Sequence, residues 1–262
     1  MNPEVWQRIS SATTSCCSTV LIFPPTGAGA PAFQSMSVLE GDTTVWGYCP
    51  PGRGQRLLEP GIRTIGEFVS KFRSSFEIPT GPLILAGVSF GAMLSFVAAN
   101  ILENDGIFAT RLVALCGQSP KSYRGEREGW NLERARQRMR SYGLTPKSIL
   151  NSDESDDLFV RPTLDDLLLA ESCCGNQLKQ IHVPITCVSA IDDKIVSSEE
   201  AVQWREATSE TYRLIEVTGG HYAHEGFGRR EWLNVGKVLR VTGGSERDGT
   251  WNVHGSVCVA TD

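Results

Sequence analysis

The sequence predicts an α/β fold, with a mostly parallel central sheet and helices on both faces. Three observations carry that expectation. Short apolar runs rich in β-formers recur along the chain, and stretches with helical periodicity fall between several of them. The composition is that of an ordinary globular protein, 40% hydrophobic and 21% charged in 262 residues, a length that fits one α/β domain. Strands alternating with helices form a sheet covered on both sides. Active sites of such sheets gather at the carboxyl ends of the strands.

The candidate strands are 19–23, 43–48, 83–88, 111–116, 185–191 and 212–217. Residues 62–76 place Ile65, Phe68, Val69, Phe72 and Phe76 on one helical face. Residues 90–104 continue as a second helix. Residues 197–208 form a third, with Ser197 or Ser198 as N-cap ahead of Glu199 and Glu200. Residues 225–240 read as the closing helix. The interval from 116 to 185 breaks the rhythm: 130–142 and 164–178 read as amphipathic helices joined by the acidic loop 151–157. An insertion there, about 121–182, would sit above the carboxyl ends of the strands as a lid. The expected domain is therefore 1–242, followed by a Gly/Ser-rich tail, 243–262, that is either disordered or an added edge strand.

The net charge of −5 argues against a general nucleic-acid binder. No apolar run is long enough to span a bilayer, and the first ten residues, carrying Glu4 and Arg8, are no secretory signal. None of the eight cysteines forms a C-x-x-C pair, so no metal is expected and a reduced, cytoplasmic setting is.

Gly87-Val88-Ser89-Phe90-Gly91 lies between the run 83–88 and the helix 90–104. A G-x-S-x-G turn in that context holds its serine in a strained conformation with the hydroxyl clear of the sheet. The helix that follows directs free N–H groups and the positive end of its dipole to the same place. A serine nucleophile needs an imidazole base, and the base needs a carboxylate to orient it. His221, directly after the run 212–217, is the candidate base, and His224 its rival; His182 precedes a strand and His254 lies in the tail. Asp192 and Asp193 both follow the run 185–191 at the right edge, whereas Gly117-Gln118-Ser119-Pro120 after the preceding strand offers no acid. Two backbone donors are needed for an oxyanion. Phe90 supplies one, and Thr26 or Gly27 the other, since Pro24 and Pro25 lack an N–H.

Four motifs in order, Phe23-Pro24-Pro25-Thr26-Gly27-Ala28-Gly29, Pro51-Gly52-Arg53-Gly54-Gln55-Arg56, residues 87–92 and Gly219-Gly220-His221-Tyr222, resemble type II (external, editing) thioesterases of nonribosomal peptide and polyketide biosynthesis. The resemblance covers about 18–240 and departs from the family pattern at Pro25, Thr26, Val88 and Phe90. It implies the α/β-hydrolase fold, a Ser89–Asp193–His221 triad, and Thr26 and Phe90 as oxyanion donors. It also implies hydrolysis of acyl groups from the phosphopantetheine arm of carrier domains, the enzyme itself holding no cofactor and acting as a monomer. The lid motif is partly matched by Arg161-Pro162-Thr163-Leu164-Asp165-Asp166. Leu164, Leu167 and Leu168, with Leu169, are candidate acyl-pocket residues, the alternative being packing onto the core. The basic segment Lys121, Arg124, Arg127, Arg134, Arg136, Arg138 and Arg140 is a candidate docking face for acidic carrier domains, against a solvated helix face. The triad chemistry alone also accommodates a carboxylesterase, a lipase or an acyltransferase. A carrier-binding protein without turnover is the reading from outside catalysis.

Overall fold

The run Thr-Val-Leu-Ile-Phe forms strand β2 (Thr19–Phe23), buried along its whole length, and its alternation divides the core in two. Leu21 and Phe23 face a cluster with Phe68, Phe72, Leu85 and Phe96, while Val20 and Ile22 face Phe33, Met36, Ile84 and Val113. A computed structural model describes residues 1–13, 18–41, 43–126, 129–143, 145–150, 155–174, 178–228, 231–232, 251–253 and 256–258. The strands around β2 are β1 (Trp6–Ser10), β3 (Thr44–Tyr48), β4 (Leu83–Val88), β5 (Arg111–Leu115), β6 (Ile185–Ala190) and β7 (Tyr212–Val217). They form one sheet in the order β1-β3-β2-β4-β5-β6-β7. Every pairing is parallel except that of β1 with β3.

On the first face lie α1 (Ile65–Ser75) and α2 (Phe90–Asn104). A reciprocal capping box starts α1, with Glu67 N–H donating to Thr64 Oγ1 and Thr64 N–H to Glu67 Oε2. Phe68 and Phe72 then stack at 6.0 Å and meet Phe23 across the layer boundary. Each such ring removed from water contributes about 1.5–3 kcal/mol. The second face departs from expectation in part: among the described residues it is covered by the 3-10 segment Ala30–Leu39, by Phe227, and by Trp232 in the helical pair 231–232.

β1 was not expected, because Trp-Gln-Arg-Ile-Ser alternates weakly and is short. Trp6 is nevertheless buried, its indole N–H donating to Ser75 Oγ at 3.2 Å. After β6, a second capping box at Ser197 opens α6 (Ser198–Val202), which tightens into a 3-10 turn at Gln203–Ala207. Of the closing helix expected over 225–240, residues 225–226 end a 3-10 turn, 227–228 are non-helical and 231–232 are α-helical, while 229–230 and 233–240 lie outside the described residues. In the tail, β8 (Trp251–Val253) and β9 (Ser256–Cys258) pair antiparallel as a separate two-stranded ladder, so they add no edge strand to the main sheet.

Between β5 and β6 the insertion carries α3 (Leu132–Tyr142), the short α4 (Lys147–Leu150), and α5 (Arg161–Cys174). A π-helical turn, Asp156–Val160, runs straight into α5, so Asp156 and Asp157 are helical rather than part of an acidic loop. Among the described residues no helix is long and apolar enough to cross a membrane.

Candidate active site

Strand β4 ends at Val88, and the chain reverses into α2 through Ser89, which has φ 54° and ψ −121°. A positive φ on a side-chain-bearing residue costs on the order of 1–3 kcal/mol and persists only where neighbours hold it. Here the Ser89 N–H donates to Leu115 O at 2.8 Å, tying the turn to β5. The flanking glycines are required by close approach. A Cβ on Gly91 would stand 2.0 Å from Phe23 O, and one on Gly87 1.9 Å from Gly91 O.

His221 follows β7, and Asp193 follows β6. The Asp192 N–H donates to Gly219 O at 3.0 Å, so the loops that carry them are joined. His221 Nε2 lies 2.8 Å from Ser89 Oγ, and His221 Nδ1 lies 2.8 Å from Asp193 Oδ2. The His221 and Asp193 side chains are 4% and 1% exposed. The other carboxylate oxygen, Asp193 Oδ1, accepts the N–H groups of Ile195 at 2.8 Å and Val196 at 3.1 Å. Burial by itself would raise the Asp193 carboxyl. The hydrogen bond to His221 and those two N–H groups outweigh it and hold the group below its ordinary value. A carboxylate facing Nδ1 selects the tautomer with Nδ1 protonated, which leaves Nε2 free to accept the serine proton.

The other candidates are placed elsewhere. Asp192 is exposed. His224 is buried among Phe33, Tyr222 and Trp232, with both ring nitrogens lacking a hydrogen-bond partner among the described residues. Burial, with a smaller contribution from His221, pushes it down from 6.5 to about 4. His182 is exposed, its Nδ1 beside Glu103 at 3.2 Å, and His254 lies outside the described residues.

The Phe90 N–H, at the first turn of α2, and the Thr26 N–H have no acceptor among the described residues. Gly27, the alternative donor, is already engaged: its N–H donates to Asp166 Oδ2 at 2.7 Å. Beside Phe90 opens a narrow pocket. Pro24, Tyr48, Ile62, Leu94 and Leu169 form its apolar walls, and Arg53 and Asp166 its polar end. Leu164 and Leu167 do not reach it. They pack with Ala135 and Val160 between α5 and α3, with Leu168 against the same cluster. Three consecutive leucines cannot all share one face of a helix, and it is Leu169 that α5 turns toward the pocket.

The sequence gives Arg53 a place in a motif but no role; the structure gives it a partner. Its guanidinium makes a two-pronged contact with Asp166, both bonds at 2.7 Å, with the side chains 9% and 8% exposed. Burial alone would lower Arg53, but Asp166 more than offsets it. The signal available in the sequence was the Pro51-Gly52-Arg53-Gly54 run itself.

The class follows from where these side chains sit. Ser89, Asp193 and His221 stand on the loops after β4, β6 and β7, at the carboxyl edge of a parallel sheet, which is the α/β-hydrolase arrangement. Within that class the family is also defined. Residues 18–226 match the model of the thioesterase domain, and the chain belongs to that family. A probable cadicidin biosynthesis thioesterase of Streptomyces griseus is 24% identical over 225 residues, covering 83% of this chain and 61% of that protein. Phenyloxazoline synthase MbtB of Mycobacterium tuberculosis is 26% identical over 208 residues, covering 78% of this chain and 15% of the synthase. The chain thus spans less than two thirds of either relative. The structure of the type II thioesterase BorB from the borrelidin biosynthetic cluster superposes with a TM-score of 0.76 at 22% identity, covering 92% of this chain and 99% of that one. At that identity the likeness is one of fold.

Proposed function

We propose that this chain is a serine thioesterase that removes acyl groups from the phosphopantetheine arm of carrier domains, in the editing or release role of type II enzymes. The observation that carries the proposal is the unbroken Ser89–His221–Asp193 hydrogen-bond chain on a strained elbow, in a chain that belongs to the thioesterase domain family. The names of relatives from cadicidin, mycobacterial synthase and borrelidin systems support the carrier-bound substrate. In this reading 1–242 is one domain and the insertion at about 121–182 is its lid.

The chemistry runs in two halves. Ser89 Oγ attacks the thioester carbonyl carbon while His221 Nε2 takes the hydroxyl proton. Negative charge gathers on the carbonyl oxygen, where the Thr26 and Phe90 N–H groups receive it. The C–S bond then breaks, and His221 returns the proton to the departing thiol. Water, deprotonated by His221, attacks the acyl-Ser89 carbonyl; the bond from that carbon to Ser89 Oγ then breaks, His221 returns the proton to Oγ, and the carboxylic acid leaves. Asp193 stabilises the imidazolium formed in each half.

Of the seven basic residues read as a docking face, Arg127 lies outside the described residues, and the following have partners within the fold. Arg136 donates to Leu150 O at 2.7 Å and pairs with Asp156, Arg134 bonds Gly129 O, and Arg138 sits over Trp130 at 5.1 Å. Lys121 pairs with Glu206. These cations hold the insertion together or tie it to the core, so reversing Arg136 perturbs its folding before it perturbs steering.

The test is intact-mass measurement of a panel of acyl-loaded carrier domains before and after enzyme, with Ser89→Ala beside the parent. Deacylation by the parent and none by the variant is expected. Equal deacylation by both, or none by the parent on carrier domains and small thioesters alike, overturns the proposal. Acyl groups passed to an added amine or alcohol in preference to water would make the enzyme an acyltransferase and overturn hydrolysis.

A further inference from the structure

Helix α5 of the insertion is fastened to the carboxyl edge of the sheet at separate points, and one of them ends on the oxyanion turn. The Ala28 N–H donates to Pro25 O at 3.0 Å, closing a β-turn with Thr26 and Gly27 at its centre. Gly27 has φ +77°, the value a type II turn requires at that position. Such a turn leaves the Gly27 N–H pointing out of its own hydrogen-bonding ring. Asp166 on α5 accepts it at 2.7 Å with Oδ2, the oxygen that also accepts from Arg53 Nη1. Arg53 Nη1 donates in addition to Ala28 O at 3.0 Å, and Nη2 reaches Pro162 O at 3.3 Å. The turn is therefore held on both sides by one buried ion pair, whose acid lies on the insertion and whose base lies on the Pro51-Gly52-Arg53-Gly54 loop. The fit is close: a Cβ on Gly27 would stand 2.6 Å from Thr163 Oγ1, also on α5.

The second fastening is independent of the turn. Asp165 accepts from Arg63 Nε at 2.6 Å, and Ser172 Oγ accepts from Ile65 N–H at 2.8 Å, both joining α5 to the start of α1.

We infer that Asp166 is a positioning residue for the thioesterase reaction: by capturing the Gly27 N–H it sets the turn so that Thr26 N–H remains the oxyanion donor, and seating α5 and completing the oxyanion hole become one event. This rests on Ser89 being the nucleophile. A carboxylate at 166 supplies what no apolar residue could, an acceptor for the glycine N–H and a charge partner for Arg53 in the same group. With α5 unseated, Gly27 N–H loses its partner and competes with Thr26 N–H, and the turn is free to rotate its peptide planes.

The experiment compares Asp166→Asn with Asp165→Asn, on a small acyl thioester and on a trifluoromethyl ketone analogue that forms a tetrahedral oxyanion with serine. Asp166→Asn is expected to lower kcat roughly 10- to 100-fold, the effect of a misplaced oxyanion donor. KM should stay within about threefold, because ground-state contacts are retained. Affinity for the ketone should fall by the same factor as kcat, and the pH midpoint of kcat should stay in place because His221 and Asp193 are untouched. Asp165→Asn loosens the same helix and lowers Tm, but should leave kcat within about threefold of the parent. A KM-only effect of Asp166→Asn, unchanged ketone affinity, or an equal kcat loss in Asp165→Asn overturns the inference. If Asp166→Asn does not fold, Arg53→Lys replaces it. That variant keeps the charge and loses the two-pronged grip, and it must show the same kcat-selective loss. Failure of the function proposal is separately visible, as a parent enzyme inert on thioesters whose Ser89 nonetheless reacts with the ketone.

Discussion

His224 allows a stability experiment whose size and sign both follow from its surroundings. It is 2% exposed, walled by Phe33, Tyr222 and Trp232, and neither ring nitrogen has a partner among the described residues. Its folded-state value is about 4, against 6.5 for the ordinary group. Between those two values the unfolded chain binds one more proton at this site than the folded one. Stability from this group is therefore complete above pH 6.5 and drains away as pH falls toward 4, at about 1.4 kcal/mol per pH unit. Over the whole window that amounts to roughly 3 kcal/mol. His224→Phe keeps the ring in its aromatic cage and removes both unpaired nitrogens. At pH 7 the variant should match or exceed the parent, since an unpartnered buried polar group costs about 1–3 kcal/mol. Its advantage should then widen by roughly 3 kcal/mol on going to pH 4. Urea denaturation followed by tryptophan fluorescence at pH 7, 5.5 and 4 measures this directly. Asp193, held below its ordinary value, also loses stability as pH falls, but it does so in both proteins and cancels in the difference. A parent–variant difference that stays constant across the three pH values would refute the reasoning.

Two further outcomes test the site and the elbow. Asp193→Asn keeps an oxygen for the Ile195 and Val196 N–H groups but turns an amide toward His221 Nδ1, favouring the wrong tautomer; kcat should fall about 10⁴-fold, or some 5 kcal/mol. A loss under tenfold, read in single-turnover kinetics, would remove Asp193 from the triad. Gly91→Ala forces a Cβ to 2.0 Å from Phe23 O and 2.7 Å from Pro24 O, both backbone atoms that cannot swing aside. We expect a cost of about 3 kcal/mol and a Tm lower by roughly 6–12 °C. Gly66→Ala, in α1 with nothing within 4 Å of its Cβ position, should raise Tm slightly, and equal Tm changes in both would contradict the close-packing argument.

The parallel core was legible because its strands declare themselves locally. Runs such as Leu-Ile-Leu-Ala-Gly-Val are buried throughout and need no alternation to be seen, and α1 showed its apolar face at three- and four-residue spacing. β1 was illegible for the opposite reason: its burial comes from Trp6 meeting Phe23, Tyr48 and Phe72, contacts that exist only once the sheet is assembled. The part of the second-face cover formed by Ala30–Leu39 was missed because a 3-10 segment has no 3.6-residue period to detect. The split of 197–208 into α6 and a 3-10 turn has a similar cause, since both pieces bury Ala201, Trp204 and Ala207 on the same side.

At the site, legibility stopped where sequence distance grew large. Ser89, Asp193 and His221 could be assigned to one edge of the sheet because each sits immediately after a strand, and strand ends are local features. The choice between Asp192 and Asp193 needed a family resemblance; in the structure Asp193 turns inward and Asp192 stays in solvent. Thr26 against Gly27 was a choice the motif left open, and what occupies the Gly27 N–H is a residue 139 positions away, Asp166. Nothing in Arg161-Pro162-Thr163-Leu164-Asp165-Asp166 marks which aspartate turns inward to Arg53 and which to Arg63. That division is set by the packing of α5, where Leu164 and Leu167 go to α3 and Leu169 to the pocket. A buried ion pair adds little net stability against a well-packed apolar alternative. Placing one where it grips both the Gly27 N–H and the Ala28 carbonyl is therefore better explained by the geometry it imposes on the oxyanion turn than by the stability it adds to the fold.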